Sequence, residues 1–334
     1  VQAGAGAGPT PIYVPGKVYL AGPYRGAPLS GVAIVPAIAG PVDLGDVVVR
    51  APAFVDPRTA QIRLASDPLP QIVDGVLIRT RDVRIHLDRP GFMLNPTSCE
   101  AMAIDATLHS TEGATKAASQ RFQVGDCGRL GFKPALGLKL IGGTRRGAHP
   151  ALRGTYVPKA GDANLKSLVL RFPHSAFLDQ AHIRTICTRV QFAAGAGNGQ
   201  QCPSGAVYGH ATAFTPLLDE PLEGPVFLRS SNHNLPDLAI ALHGTIDVEA
   251  VARIDSVHGG IRASFEETPD APLEKVVVDM QGAAKGLIVN STNLCKAPHL
   301  AEAQMGAQNG KQFEAKPAVR VAGCPKASHR AKHH

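Results

Sequence analysis

Thirty-five glycines and 27 prolines punctuate this chain of 334 residues, about one position in five against a usual ~12% for the two together. Proline removes a helical hydrogen bond and clashes with the preceding turn, and glycine costs a helix about 1 kcal/mol relative to alanine. Helical bundles and coiled coils are therefore excluded. Short strands joined by turns are what remains, and a hydrophobic share of 44% suffices to give them sizeable cores in two or three domains.

Between the turns the apolar residues alternate. Val83, Ile85 and Leu87 oppose Arg84, His86 and Asp88, and a second run carries Val276, Val278 and Met280. Leu238, Ile240 and Leu242 alternate with Ala239, Ala241 and His243, and Leu168, Leu170 and Phe172 with Val169 and Arg171. A period of two buries one face of an antiparallel sheet, and a second sheet is the simplest cover for it. After Pro173 the period changes: Ile183, Ile186, Cys187 and Val190 fall at i, i+3, i+4 and i+7, which predicts a short helix with Ser175 or Asp179 as its N-cap.

Five matches recur in the same order along the chain. Gly16-Lys17-Val18-Tyr19-Leu20 parallels Gly224-Pro225-Val226-Phe227-Leu228, and Asp56 to Arg63 parallels Asp255 to Arg262. Asp67-Pro68 answers Pro269-Asp270, Asn95 to Cys99 answers Asn290 to Cys295, and Val124 to Cys127 answers Val321 to Cys324. The expected architecture is mainly β: tandem Ig-like antiparallel β-sandwich modules with one short helix in the middle module. Its expected boundaries are an extended segment 1–15, a first copy 16–135, a helix-bearing module 136–219, a second copy 220–325 and a basic tail 326–334.

Six cysteines permit fifteen connectivities. The repeat suggests local pairs, Cys99 with Cys127, Cys187 with Cys202 and Cys295 with Cys324, each contributing ~3–4 kcal/mol if oxidised. Buried thiols are the alternative. Disulfides would imply an oxidising, extracytoplasmic compartment. No C-x-x-C is present, and the one H-x-x-x-H, His329 to His333, lies in the tail, so no metal and no cofactor is expected.

The net charge of +7 is spread along the chain, Trp is absent and only five Tyr are present, which argues against a nucleic-acid partner. Gly31 to Val42, the longest apolar stretch, is broken by Pro36, Gly40 and Pro41, so no membrane span is expected. Lys326, Arg330 and Lys332 in the tail are candidate contacts for an anionic cell-wall polymer. A G-x-S-x-G elbow, a Walker A loop and an H-E-x-x-H pair are all missing, and the glycine alternations at Gly4–Gly8 and Gly195–Gly199 lack a βαβ context. Asp43 and Asp46 supply too few oxygens for a calcium loop, and Asn290-Ser291-Thr292 fits a glycosylation sequon.

The stretches Val18 to Tyr24, Gly40 to Gly45 with Val47 to Arg50, Arg89 to Thr97, and Gln191-Phe192-Ala193 up to Cys202-Pro203 resemble the C-terminal part of a family of large, secreted, uncharacterised actinobacterial surface proteins. That family offers no catalytic residues to carry over. The resemblance implies an envelope or extracellular location, and it places Val1 inside a longer precursor open to proteolytic maturation.

The expected function is a non-catalytic structural protein of the cell surface that assembles with copies of itself into a filament or layer. A carbohydrate or wall-polymer binding module is the alternative. Ile12, Tyr13 and Val14, apolar residues in a proline-limited extended segment, are the candidate self-association residues, suited to adding a strand to a neighbour.

Overall fold

The computed structural model describes residues 1–6, 9–87, 89–194, 198–257 and 260–324. Strand accounts for 49% of it and helix for 5%, as the turn-rich composition requires. The chain divides into two compact units, Val1–Asp56 with Gln61–Leu94, and Pro57–Ala60 with the chain from Asn95 onward.

The first unit holds β1 (Gln2–Ala5), β2 (Ile12–Pro15), β3 (Lys17–Ala21), β4 (Leu29–Ala39), β5 (Val42–Val55), β6 (Ile62–Leu64), β7 (Ile72–Val73), β8 (Val76–Leu77) and β9 (Thr80–Arg84). These form sheets ordered β2-β1-β9 and β3-β4-β5-β6, and the small pair β7-β8. In the long β4–β5 hairpin Ala39 pairs with Val42, so Gly40-Pro41 is the whole turn, and Gly40 at φ 60° supplies the left-handed position that such turns need. Among the described residues, the buried side chains of this unit are small: Ala27, Ser30, Ala37, Pro52 and Ala53. The buried face expected for Val83, Ile85 and Leu87 is not found, since they are 47%, 58% and 49% exposed. β9 ends at Arg84 and, among the described residues, pairs only with β1, which sets Ala3 opposite Val83.

The second unit begins with a two-stranded ribbon, β10 (Met102–His109) and β11 (Thr115–Phe122). Then come β12 (Ala135–Ile141), β13 (Ala151–Val157), β14 (Leu165–Arg171), β15 (Ala176–Leu178), the helix α1 (Arg189–Ala193), β16 (Val207–Phe214), β17 (Leu222–Arg229), β18 (Asp237–Leu242), β19 (Val248–Val257) and β20 (Gly260–Phe265). β21 (Lys275–Met280), β22 (Ile288–Asn290), β23 (Glu302–Ala307), β24 (Gln312–Ala315) and β25 (Val319–Val321) complete it. Twelve strands form one curled, half-barrel sheet in the order β24-β23-β14-β20-β19-β18-β17-β16-β21-β13-β12-β25.

β19 is the corner of this sheet. Val248 to Ala252 pair with β18, and Arg253 to Val257 pair with β20. Beyond the corner the sheet folds back over itself, so that Leu138, Leu140 and Tyr156 share one core with Leu168, Leu170, Ile254, Ile261 and Met305. The two edge strands, β24 and β25, are separated in sequence by only Lys316, Pro317 and Ala318.

Three expectations are corrected here. Separate Ig-like sandwiches are not formed: β21 lies between β13 and β16, and β14 lies between β20 and β23, so strands from 136–219 and 220–325 interleave in one sheet. The matched segments also take unlike places. Val18, Tyr19 and Leu20 lie 36%, 47% and 60% exposed on edge strand β3, whereas Val226, Phe227 and Leu228 are buried in β17. Val83 on β9 and Val276 on β21 likewise differ in their neighbours, so the matches do not mark a repeated fold.

The third correction concerns the helix. Thr188 accepts from Gln191 N–H while the Gln191 side chain accepts from Thr188 N–H, a capping box that starts α1 at Arg189, after Cys187. Asp179 caps only a 3-10 turn, Gln180–His182. Ile186 and Val190 are consequently exposed, while Cys187 is fully buried as expected.

Candidate functional site

Cys99–Cys127, Cys187–Cys202 and Cys295–Cys324 are all bridged, and no cysteine is free. Three disulfides indicate an oxidising environment. No helix among the described residues is long and apolar enough to cross a membrane.

The first bridge closes the base of the β10–β11 ribbon. Asp270 fixes the incoming chain: its carboxylate accepts from Thr97 N–H at 2.8 Å, Thr97 Oγ1 at 2.8 Å and Ser98 N–H at 2.7 Å. Asn164 Nδ2 donates to the same carboxylate at 2.8 Å. On the outgoing side Asn309 Nδ2 donates to the Cys127 and Leu130 carbonyls. A rigid base thus carries a ribbon whose residues, apart from Met102, are all exposed.

The ribbon's alternation sorts its faces. Met102 pairs with Phe122, Ile104 with Gln120, Ala106 with Ala118 and Leu108 with Lys116, which places the large apolar side chains of β10 on one face. Asp105, Thr107 and His109 lie on the other with Ser119 and Arg121. Ile104, Leu108 and Phe122 are 66%, 60% and 40% exposed. Neither strand has a further partner among the described residues, so both outer edges offer unpaired backbone groups.

The candidate self-association segment is β2, hydrogen-bonded within its own chain to β1, with Ala5 paired to Ile12 and Ala3 to Val14. Its other edge pairs with no strand among the described residues. Tyr13 is occupied internally: its hydroxyl donates to Asp82 at 2.5 Å and accepts from Arg84 at 2.6 Å, and the Arg84 guanidinium lies over its ring. The hydrogen bond to Asp82 raises the Tyr13 pKa, and the same bond lowers that of Asp82. Ile12, 72% exposed, is the residue of the three most available to a partner. Lys326, Arg330 and Lys332 lie outside the described residues.

Two clusters escaped the sequence reading. His149, in the loop before β13, stacks on His182 at 4.1 Å, and its Nε2 lies 2.7 Å from Asp179 Oδ2. The hydrogen bond from His149 leads the effects that lower the Asp179 pKa, against the opposing push of burial. The Asp-x-x-His spacing at 179–182 was the only signal available, and nothing in the sequence brought His149 to it. The ribbon was legible in principle, because Ile104 to His109 alternates between apolar and polar residues.

Asp43 accepts from Gly45 N–H at the exposed start of β5. Asn290 is buried and its Nδ2 donates to the Gly143 and Arg145 carbonyls, so the sequon nitrogen is already engaged. The chain matches no protein-family model, no curated protein and no solved structure.

Proposed function

We propose that this chain is a non-catalytic, extracellular structural subunit that associates with copies of itself through its exposed β edges. The observation that carries this reading is the ribbon: a lone two-stranded hairpin is at best marginally stable in water, yet this one holds an apolar face open on a disulfide-closed base. Pairing with a partner edge would satisfy its unpaired backbone groups and set its exposed apolar side chains beside those of a neighbour.

The register of β10 favours a second copy as that partner. In a two-fold antiparallel pair centred on Ala106, Ile104 meets Leu108 on the apolar face, and Asp105 meets Thr107 on the other, with no like charges opposed. The four strands β11-β10-β10-β11 would then form one sheet across two chains. The first unit adds to the argument, because Ile12, Leu20, Ile62, Leu64 and Ile72 are each at least 60% exposed. The disulfides and the actinobacterial resemblance agree with a surface location.

Sedimentation velocity on the oxidised full chain tests the reading. The wild type should form dimers or larger species, and Ile104→Lys with Leu108→Lys should return it to monomer while the circular dichroism is kept. A wild type that stays monomeric at every concentration overturns the proposal.

A further inference from the structure

His149, Asp179 and His182 converge from two segments onto the chain between Gly282 and Leu287. His149 O accepts from Ala283 N–H at 2.9 Å, and Asp179 N–H donates to Leu287 O at 2.9 Å. Gly286 makes room: a Cβ there would stand 2.7 Å from His149 Cβ. We propose that these three side chains form a binding site for one divalent metal ion of the zinc class, with ligands His149 Nε2, Asp179 Oδ2 and His182 Nε2.

The donor atoms all lie within 4.8 Å of one another. Tetrahedral zinc with bonds near 2.0–2.1 Å needs ligand atoms about 3.3 Å apart. The observed separations from Asp179 Oδ2, 2.7 Å to His149 Nε2 and 4.0 Å to His182 Nε2, bracket that value. The two imidazoles are stacked at 4.1 Å, so binding requires the rings to turn out of that stack until both Nε2 lone pairs face the ion. Two imidazoles and one carboxylate suit zinc better than the all-oxygen shells of calcium or magnesium.

The surroundings orient the ligands. His182 Nδ1 lies 2.7 Å from the Gly286 carbonyl, an acceptor only, so Nδ1 carries the proton and Nε2 presents its lone pair toward Asp179. Asp179 Oδ1 accepts from Ala181 N–H at 3.0 Å, which leaves Oδ2 for the ion. Without metal, His149 Nε2–H donates to that oxygen. On binding, the proton of neutral His149 moves to Nδ1, and a protonated His149 releases one proton to solvent. The side chains remain 19%, 24% and 19% exposed, so water can reach the fourth coordination position.

The test uses the full chain, stripped with a chelator and titrated with Zn2+. Equilibrium dialysis should give one ion per chain lost on His182→Gln or His149→Gln, with affinity falling at least about 100-fold. In the wild type, long-range 1H–15N spectra should show two histidine Nε2 resonances moving together in a single step, a readout that needs no variant. Binding that is equal in wild type and both variants would assign the ion to the tail histidines His329, His333 and His334 and overturn the proposal. Absence of binding in the wild type would overturn it as well.

Discussion

Arg229 and Glu249 show what a residue costs when it is taken from water. Their side chains are 11% and 5% exposed, with Arg229 Nη1 2.9 Å from Glu249 Oε1 and Arg58 Nε 3.1 Å from Glu249 Oε2. Arg229 also lies 3.6 Å from Asp237 and over the Phe192 ring. Glu249→Ala removes the closest of these contacts and leaves Arg229 facing Asp237 and the Phe192 ring, so it should lower stability by about 1–3 kcal/mol in urea unfolding with the disulfides intact. Asp255 is a milder case. Burial pushes its pKa up, but hydrogen bonds from Arg262 and Arg253, with their charges, bring it below the ordinary carboxylate value. A carboxylate lowered on folding stabilises above its unfolded pKa and loses that contribution as pH falls through the folded one. Asp255→Asn should therefore cost about 1–2 kcal/mol at neutral pH and flatten the acid limb of a melting-temperature profile. At this scale the cysteine pairs formed as expected although the repeat that suggested them does not hold, since each joins cysteines no more than 29 residues apart, whereas Asp270, which anchors Thr97 and Ser98, was not legible: these partners lie more than 170 residues away in sequence.

At the scale of elements, period two was a sound guide to strands and a poor one to what covers them. Leu168, Leu170 and Phe172 are buried as their alternation implies. On β18, however, Ala239 and Ala241 are as buried as Ile240 and Leu242, because the small side chains let Phe192 of α1 and Phe227 close over that face. A polar-looking stripe thus became a second core. The matched Asp56–Arg63 and Asp255–Arg262 segments are both antiparallel hairpins, but their registers differ by two. Asp255 pairs with Arg262, while Arg63 pairs with Phe54 and stacks on its ring. Local residues therefore set hairpin formation without setting register, and register decides whether two similar segments make the same fold. The order of twelve strands was beyond reach for a related reason: β14 joins β20 and β23 through pairings that no local pattern encodes.

For the whole molecule, three disulfides and a sheet whose edges are nearly rejoined through Lys316, Pro317 and Ala318 leave the β10–β11 ribbon as the exposed edge of the second unit that calls most for a partner. Its outer strand can pair with a copy of itself only where the apolar faces coincide, and centring on Ala106 gives the longest overlap without opposed charges. Directly opposed residues on antiparallel strands lie within reach of a disulfide. The most direct measurement is therefore cross-linking of Ala106→Cys under mild oxidation, read on a non-reducing gel with peptide mapping of the bridge. Self-association through β10 predicts a covalent dimer joined through the two introduced thiols at position 106, with the three native bridges unchanged. A chain that remains monomeric with a free thiol at that position, at concentrations where the wild type sediments as an oligomer, would contradict the account.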